Sequence, residues 1–167
     1  MRSEQDINQT IEDHADTVKR ICMLYLKSIH DTEDIFQNVF LKYALSTTQF
    51  TDDAHKKAWL IRVTINECKD LLKNFFRQKT VPIDTLFDLT DERAAHSNDI
   101  FEAVLSLPHK YRDVIYLHYY EGYTAIEIGS ILKKNPHTIY TLLHRGRKRL
   151  RQLLGGEDLD DTTATAL

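Results

Sequence analysis

"YTAIEIGSILKKNPHTIYTLLHRGRKRL", residues 123–150, contains two helix starts a short turn apart. Thr124 is followed three residues later by Glu127. That spacing lets a hydroxyl and a carboxylate each satisfy a backbone N–H left exposed at a helix start. Asn135 then stands directly before Pro136, so a side-chain oxygen can cap a second helix whose first position suits the fixed φ of proline. Roughly three residues separate Lys133 from that second start, which is helix-turn-helix spacing. In the second helix Ile139, Leu142 or Leu143, Gly146, Leu150 and Leu153 fall inward. His137, Thr138, Tyr140 and Thr141 face outward early, followed by Arg145, Arg147, Lys148, Arg149 and Arg151. Residues 133–154 hold seven of the 22 Lys and Arg and no acid, although the chain has 25 acids and a net charge of -3. Polar groups at a helix tip and cations along its body suit a major groove, where the tip meets base edges and the cations meet phosphates. A solvated basic helix end is the plain alternative. The capped helix and short turn ahead of it favour DNA.

Immediately upstream, Asn98 or Asp99 is expected to cap "IFEAVLSL". Pro108 fits the first turn of "PHKYRDVIYLHYYE", and Gly122 ends it. Between Val81 and Ser97 helical periodicity fades into a stretch that reads as a linker.

The N-terminal half is helical in spacing. Ile7, Ile11, Val18, Ile21, Cys22 and Tyr25 form one stripe. "HDTEDIFQNVFLKYAL" opens on Asp31 or Thr32 as cap and carries Ile35, Phe36, Val39, Phe40 and Tyr43 inward. "STTQFTDDAHK" reads as a polar loop. A third helix, "KAWLIRVTINECKDLLKNFFRQK", turns Ala58, Ile61, Ile65, Cys68, Leu72 and Phe75 inward. No strand-like alternation appears, so the expected fold is all-α, two small helical domains joined by a flexible acidic linker. The expected boundaries are 1–79, a linker at 80–97, a helix-turn-helix domain at 98–156 and an acidic tail at 157–167. Regional charge follows them: residues 1–79 balance at 0, 80–99 carry -4, and 100–156 carry +5.

Cys22 and Cys68 sit on apolar faces without CxxC spacing, so both are expected as buried thiols with no metal and no cofactor. The first 20 residues are too polar for a signal peptide, and no apolar run nears the roughly 20 residues that span a bilayer, so a cytoplasmic protein without membrane insertion is expected. Gly-rich phosphate loops and HExxH are missing, which argues against an enzyme.

"LPHKYRDVIYLHYYEGYTAIEIGSILKKNPHTIYTLLHRGRKRL" resembles region 4, the promoter-reading domain, of bacterial sigma factors of the extracytoplasmic-function (ECF) group in the sigma-70 family. "DTEDIFQNVFLKYAL" and "KAWLIRVTINECKDLLKNFFRQK" are similar to region 2 of the same family, in the same order. The resemblance covers most of residues 20–154. It implies a protein that binds core RNA polymerase, through the clamp helices of the largest subunit and the flap of the second, and directs it to promoter DNA. It also implies a role in opening the duplex and regulation by an anti-sigma factor.

Carried over by position, the resemblance assigns Asp34, Gln37 and Asn38 to the clamp helices, Asn38 standing where the family often has Glu. Asp34 and Gln37, three apart on a helix, can reach one facing helix. For the minus-ten element it implicates Phe50, Trp59, Arg62, Asn66, Lys69, Lys73 and Arg77, with Lys79 extending the stripe. Phe50 either packs against an extruded base or staples its loop to the core. Trp59 belongs either to the core or to the nucleic-acid face. The remaining residues recur at three- and four-residue steps, as a helix tracking a phosphate backbone requires. For the minus-thirty-five element it implicates His137, Thr138, Tyr140, Thr141, His144, Arg145, Arg147 and Lys148. Tyr140 and Leu142 stand where relatives often carry Lys and Arg, which implies readout leaning on shape and apolar contact. Gly146 replaces the usual Ala, at up to about 1 kcal/mol of helix propensity unless the backbone packs closely. The acidic linker is implied either in the cationic RNA-exit path or as a tether. An autonomous DNA-binding regulator with an N-terminal dimerisation or sensing half is the alternative within DNA binding.

Overall fold

The computed structural model describes residues 1–78 and 100–155. The chain divides into two compact units, Met1–Thr80 and Val81–Leu167. The expected linker at 80–97, Lys79, the Asn98 or Asp99 cap and the acidic tail lie outside the described residues. All regular structure among the described residues is helical.

In the first unit α1 (Glu4–Tyr25), α2 (Ile29–Leu45) and α3 (Asp53–Gln78) pack against one another. Their shared core is Val18, Ile21, Cys22, Leu24 and Tyr25 from α1, Ile35, Val39, Phe40 and Tyr43 from α2, and Leu60, Ile61, Ile65 and Cys68 from α3. Both thiols are buried and meet each other; a hydrogen bond with Cys68 holds the Cys22 thiol below its ordinary pKa, against the opposing effect of burial. Several boundaries differ from expectation. Ser28, not Asp31 or Thr32, caps α2: its hydroxyl accepts from the Asp31 N–H at 3.2 Å. An earlier hydroxyl therefore took the cap and left the acids in the first turns, where the helix dipole favours them. Helix α3 starts at Asp53 rather than Lys57, with Asp52 Oδ1 accepting from the His55 N–H at 2.7 Å, so the polar loop shortens to 46–52. Along α1, Ile7 and Ile11 are only half-buried, while Thr10, His14 and Thr17 are buried. Thr10 and His14 enter because partners await them: Thr10 donates to Tyr43 Oη at 3.1 Å, and His14 Nε2 meets Asp53 Oδ1 at 3.0 Å. Phe75, expected inward, is 48% exposed, because burial fades over the last turns of α3, the longest of the three helices.

The second unit holds α4 (Ile100–Leu105), α5 (His109–Tyr119), α6 (Ala125–Leu132) and α7 (Pro136–Leu153). Its core joins Val104, Leu107, Val114, Ile115, Leu117, Ile128, Ile131, Ile139, Leu143 and Leu150. Leu143 is buried and Leu142 only half so, which settles that pair; Leu153, in the final turn of α7, is 51% exposed rather than inward. Pro108 is the cap residue before α5, not its first position. The guanidinium of buried Arg112 donates from Nε to the Leu107 carbonyl at 3.1 Å, satisfying an acceptor just past α4.

The turn between α6 and α7 is built tightly. Thr124 Oγ1 accepts from the Glu127 N–H at 3.2 Å while Glu127 Oε2 accepts from the Thr124 N–H at 2.8 Å, the reciprocal cap the spacing predicts. Helix α6 ends on Lys133, which adopts φ 54°, an uncommon left-handed backbone for a residue with a side chain. Lys134 N–H then donates to the Gly129 carbonyl at 2.9 Å. A Cβ on Gly129 would lie 2.7 Å from the Lys134 carbonyl oxygen, so only glycine admits this fold-back. Asn135 Oδ1 accepts from the His137 N–H at 2.8 Å and Pro136 takes the first turn of α7, as expected.

Candidate polymerase and promoter interfaces

Helix α2 buries Ile35, Val39, Phe40 and Tyr43 on one side and leaves Asp34, Gln37 and Asn38 exposed together on the other. Asp34 forms an ion pair with His30 at 3.6 Å, one turn before it. The same exposed face continues through Leu41 and Leu45, which are 57% and 60% exposed. The sequence reading passed over these two leucines, although their spacing of seven and eleven from Asp34 puts them in line with it. The face is therefore an acid and two amides running into an apolar edge.

On α3, Arg62, Asn66, Lys69, Lys73 and Arg77 occupy one face, opposite the buried Leu60, Thr64 and Cys68. Asn66 and Arg77 are exposed; Arg62, Lys69 and Lys73 are half-buried, as long cations are when their stems lie along a helix surface. Phe50 and Trp59 do not join that stripe. The Phe50 ring stacks on Tyr43 at 6.0 Å, meets Trp59 edge-on at 5.7 Å and His55 at 5.3 Å, and Trp59 meets Tyr43 at 6.2 Å. Of the two readings of Phe50, the geometry is that of a staple holding loop 46–52 to the helices, and half-buried Trp59 belongs to the same cluster. The outward residues of the loop are Thr47, Gln49, Thr51 and Asp52.

On α7, His137, Thr138, Tyr140, His144, Arg145 and Lys148 are exposed and Thr141 half-buried, on the side away from buried Ile139, Leu143, Gly146 and Leu150. Thr141 also donates to the His137 carbonyl at 3.2 Å. Arg147 departs from the group: it is half-buried and reaches the Tyr119 hydroxyl at 3.4 Å. Arg149 lies over the Tyr111 ring at 5.2 Å, a cation–π contact that leaves its charge on the α7 surface. Gly146 lies against α5, where an added Cβ would meet Ile115 Cγ1 at 3.0 Å; this close approach is the compensation its low helix propensity calls for. Beside α6, burial and the carboxylates of Glu121 and Glu127 push the Tyr123 phenol up to about 12.

The first unit thus presents one polar-to-apolar helix face and one cationic stripe beside an anchored loop, and the second a cationic helix behind a tight turn. Comparison with known proteins gives the same division. Sigma-70 region 2 matches residues 10–78, and Sigma-70 region 4 matches residues 97–150. Among curated proteins, the ECF RNA polymerase sigma factor SigW of Bacillus subtilis is 29% identical over 171 residues, covering 92% of this chain and 91% of the relative. The ECF RNA polymerase sigma factor SigX of the same organism is 30% identical over 155 residues, covering 81% of this chain and 78% of its own. Among solved structures, the sigma factor RpoE of Bartonella quintana, in complex with the anti-sigma factor NepR, shares the fold with a TM-score of 0.67 at 19% identity, over 92% of this chain and 99% of that one. CnrH, in complex with the cytosolic domain of CnrY, aligns with a TM-score of 0.62 at 18% identity, over 93% and 92% of the two chains. With both family regions present in order and relatives of that group spanning most of its length, this chain belongs to the sigma-70 family of RNA polymerase sigma factors, in its extracytoplasmic-function group.

Proposed function

We infer that this chain binds core RNA polymerase and directs promoter-specific initiation of transcription, with region 2 acting at the minus-ten element and region 4 at the minus-thirty-five element. The observation that carries it is the presence of both regions, in order, on one helical chain. Asp34, Gln37 and Asn38 are assigned to the clamp helices of the largest subunit. The exposed edge at Leu41 and Leu45 supports this, since an apolar strip beside hydrogen-bonding groups suits a helix-on-helix contact. Arg62, Asn66, Lys69, Lys73 and Arg77 are assigned to the separating strands at the minus-ten element, while Phe50 and Trp59 act there through the loop they anchor. His137, Thr138, Tyr140, Thr141, His144, Arg145, Arg147 and Lys148 are assigned to the minus-thirty-five element, with Arg147 at the flank of α7 beside Tyr119. Region 4 is further assigned to the flap of the second large subunit.

One of the solved relatives, RpoE, is in complex with an anti-sigma factor, which supports the same mode of control here. The protein is assigned no catalysis of its own and a cytoplasmic site of action; no described helix is long and apolar enough to cross a membrane. Run-off transcription with core polymerase, followed by sequencing of the start sites, tests the function. New start sites that require the protein are expected. Specific promoter binding by the purified chain alone, as a dimer and without effect on core enzyme, would replace this reading with an autonomous regulator.

A further inference from the structure

Arg2 stands outside every residue assigned above, yet it contacts both the end of α2 and loop 46–52. Its backbone N–H donates to the Ala44 carbonyl at 3.1 Å, and its Nε to the Tyr43 carbonyl at 3.1 Å, both at the end of α2. Its Nη2 donates to the Thr48 carbonyl inside the loop. The guanidinium carbon lies 4.4 Å from the centre of the Tyr43 ring and 4.9 Å from that of Phe50. Asp6, one turn along α1, holds the cation in place at 3.6 Å and also accepts from the Tyr43 hydroxyl at 3.0 Å. One side chain therefore joins the start of α1, the end of α2 and the middle of the loop.

We propose that Arg2 is a positioning residue for minus-ten recognition, fixing loop 46–52 so that Thr47, Gln49, Thr51 and Asp52 are presented to DNA in one conformation. The proposal rests on the assignment of that loop to the minus-ten element. Two physical points carry it. Arg2 is not among the buried side chains of the three-helix core, and the hydrogen bonds of its guanidinium go to main-chain carbonyls at the end of α2 and in the loop. A loop held in its binding conformation loses less conformational freedom on capture of a flexible single strand, which strengthens binding without adding a contact. Only a planar cation with several divergent donors can bridge two carbonyls and two ring faces; a lysine ammonium is a point charge.

Arg2→Ala and Arg2→Lys test it in reconstituted holoenzyme. The probe is the nontemplate strand across the minus-ten element of a promoter mapped by start-site sequencing. Both variants are expected to bind this strand about tenfold more weakly, reflecting the lost carbonyl and ring contacts, while affinity for core polymerase and for a duplex minus-thirty-five fragment holds. In the full chain alone, Trp59, the single tryptophan, is expected to become more accessible to acrylamide in both variants, because Phe50 no longer covers it. Unchanged strand affinity in Arg2→Ala overturns the proposal. Parallel losses in all three affinities overturn it too, by making Arg2 a general fold contact, as does weaker strand binding with Trp59 unaltered. If wild-type holoenzyme initiates at the mapped promoter yet does not distinguish its minus-ten strand from a scrambled one, the loop assignment itself fails and the proposal falls with it.

Discussion

At the scale of single residues, two glycines in the second unit look alike in sequence and differ in what surrounds them. At Gly129 an added methyl runs into the Lys134 carbonyl at 2.7 Å, a backbone atom within the turn that sets the angle between α6 and α7. Gly129→Ala is therefore expected to destabilise the second unit by about 1–3 kcal/mol, the range for overpacking, and to weaken minus-thirty-five binding with it. At Gly146 the obstacle is a side chain rather than backbone, Ile115 Cγ1 at 3.0 Å, which has to give by only a few tenths of an ångström. Gly146→Ala gains up to about 1 kcal/mol of helix propensity against that displacement and is expected to change stability by less than about 1 kcal/mol. Urea unfolding of both variants checks the contrast; equal effects would refute it. Both glycines stand in plain view in the sequence, and the low helix propensity of Gly146 by itself calls for close packing. Which atom each one meets is a tertiary fact.

Helices are the scale at which the two proposed activities of region 2 separate. The exposed side of α2 and the cationic side of α3 are different surfaces of one three-helix unit. Asp34→Ala with Gln37→Ala is expected to lower affinity for core polymerase while leaving the core's own activity on nonspecific templates intact. Lys69→Ala with Lys73→Ala is expected to spare core binding and to impair promoter opening, seen as reduced permanganate reactivity of thymines in the minus-ten region. Matching defects in both assays from both pairs would refute the division. Capping belongs at this scale as well. Thr124→Ala removes one arm of the reciprocal cap on α6 and is expected to lower the stability of the second unit by about 1 kcal/mol, measured by thermal melting.

Across the whole molecule, charge distribution matters more than net charge. The chain carries -3 overall, yet residues 133–154 hold seven cations and no acid, and the exposed side of α7 gathers several of them. Binding of duplex minus-thirty-five DNA should therefore weaken steeply with salt despite an acidic protein, since each neutralised phosphate releases counterions. Lys148→Ala is expected to lower the slope of log affinity against log salt by about one, as for any cation meeting a phosphate. His137→Ala is expected to leave the slope unchanged and to relax sequence preference, being at the tip of the helix where base edges are read. Titrations of holoenzyme at several salt concentrations, with matched and mutated elements, distinguish the two outcomes.

Much of this architecture is written in local sequence. The reciprocal cap at Thr124 and Glu127, the Asn135–Pro136 start, the helical stripes and the concentration of cations on α7 are short-range patterns, governed by backbone hydrogen bonding and by helical period. Helix starts were less legible: Ser28 prevailed over Asp31 and Thr32, and α3 begins beside Asp52 rather than at Lys57, because only the packed helix selects among nearby capping residues. Tertiary structure alone decided what Phe50 does, why Thr10 and His14 go inward, and that Arg2 grips the loop. Those outcomes depend on partners far away in the chain, such as Tyr43 and Asp53. A ring or a hydroxyl has no preferred side until another group arrives to satisfy it, so period can place a residue on a face but cannot name what that face will meet.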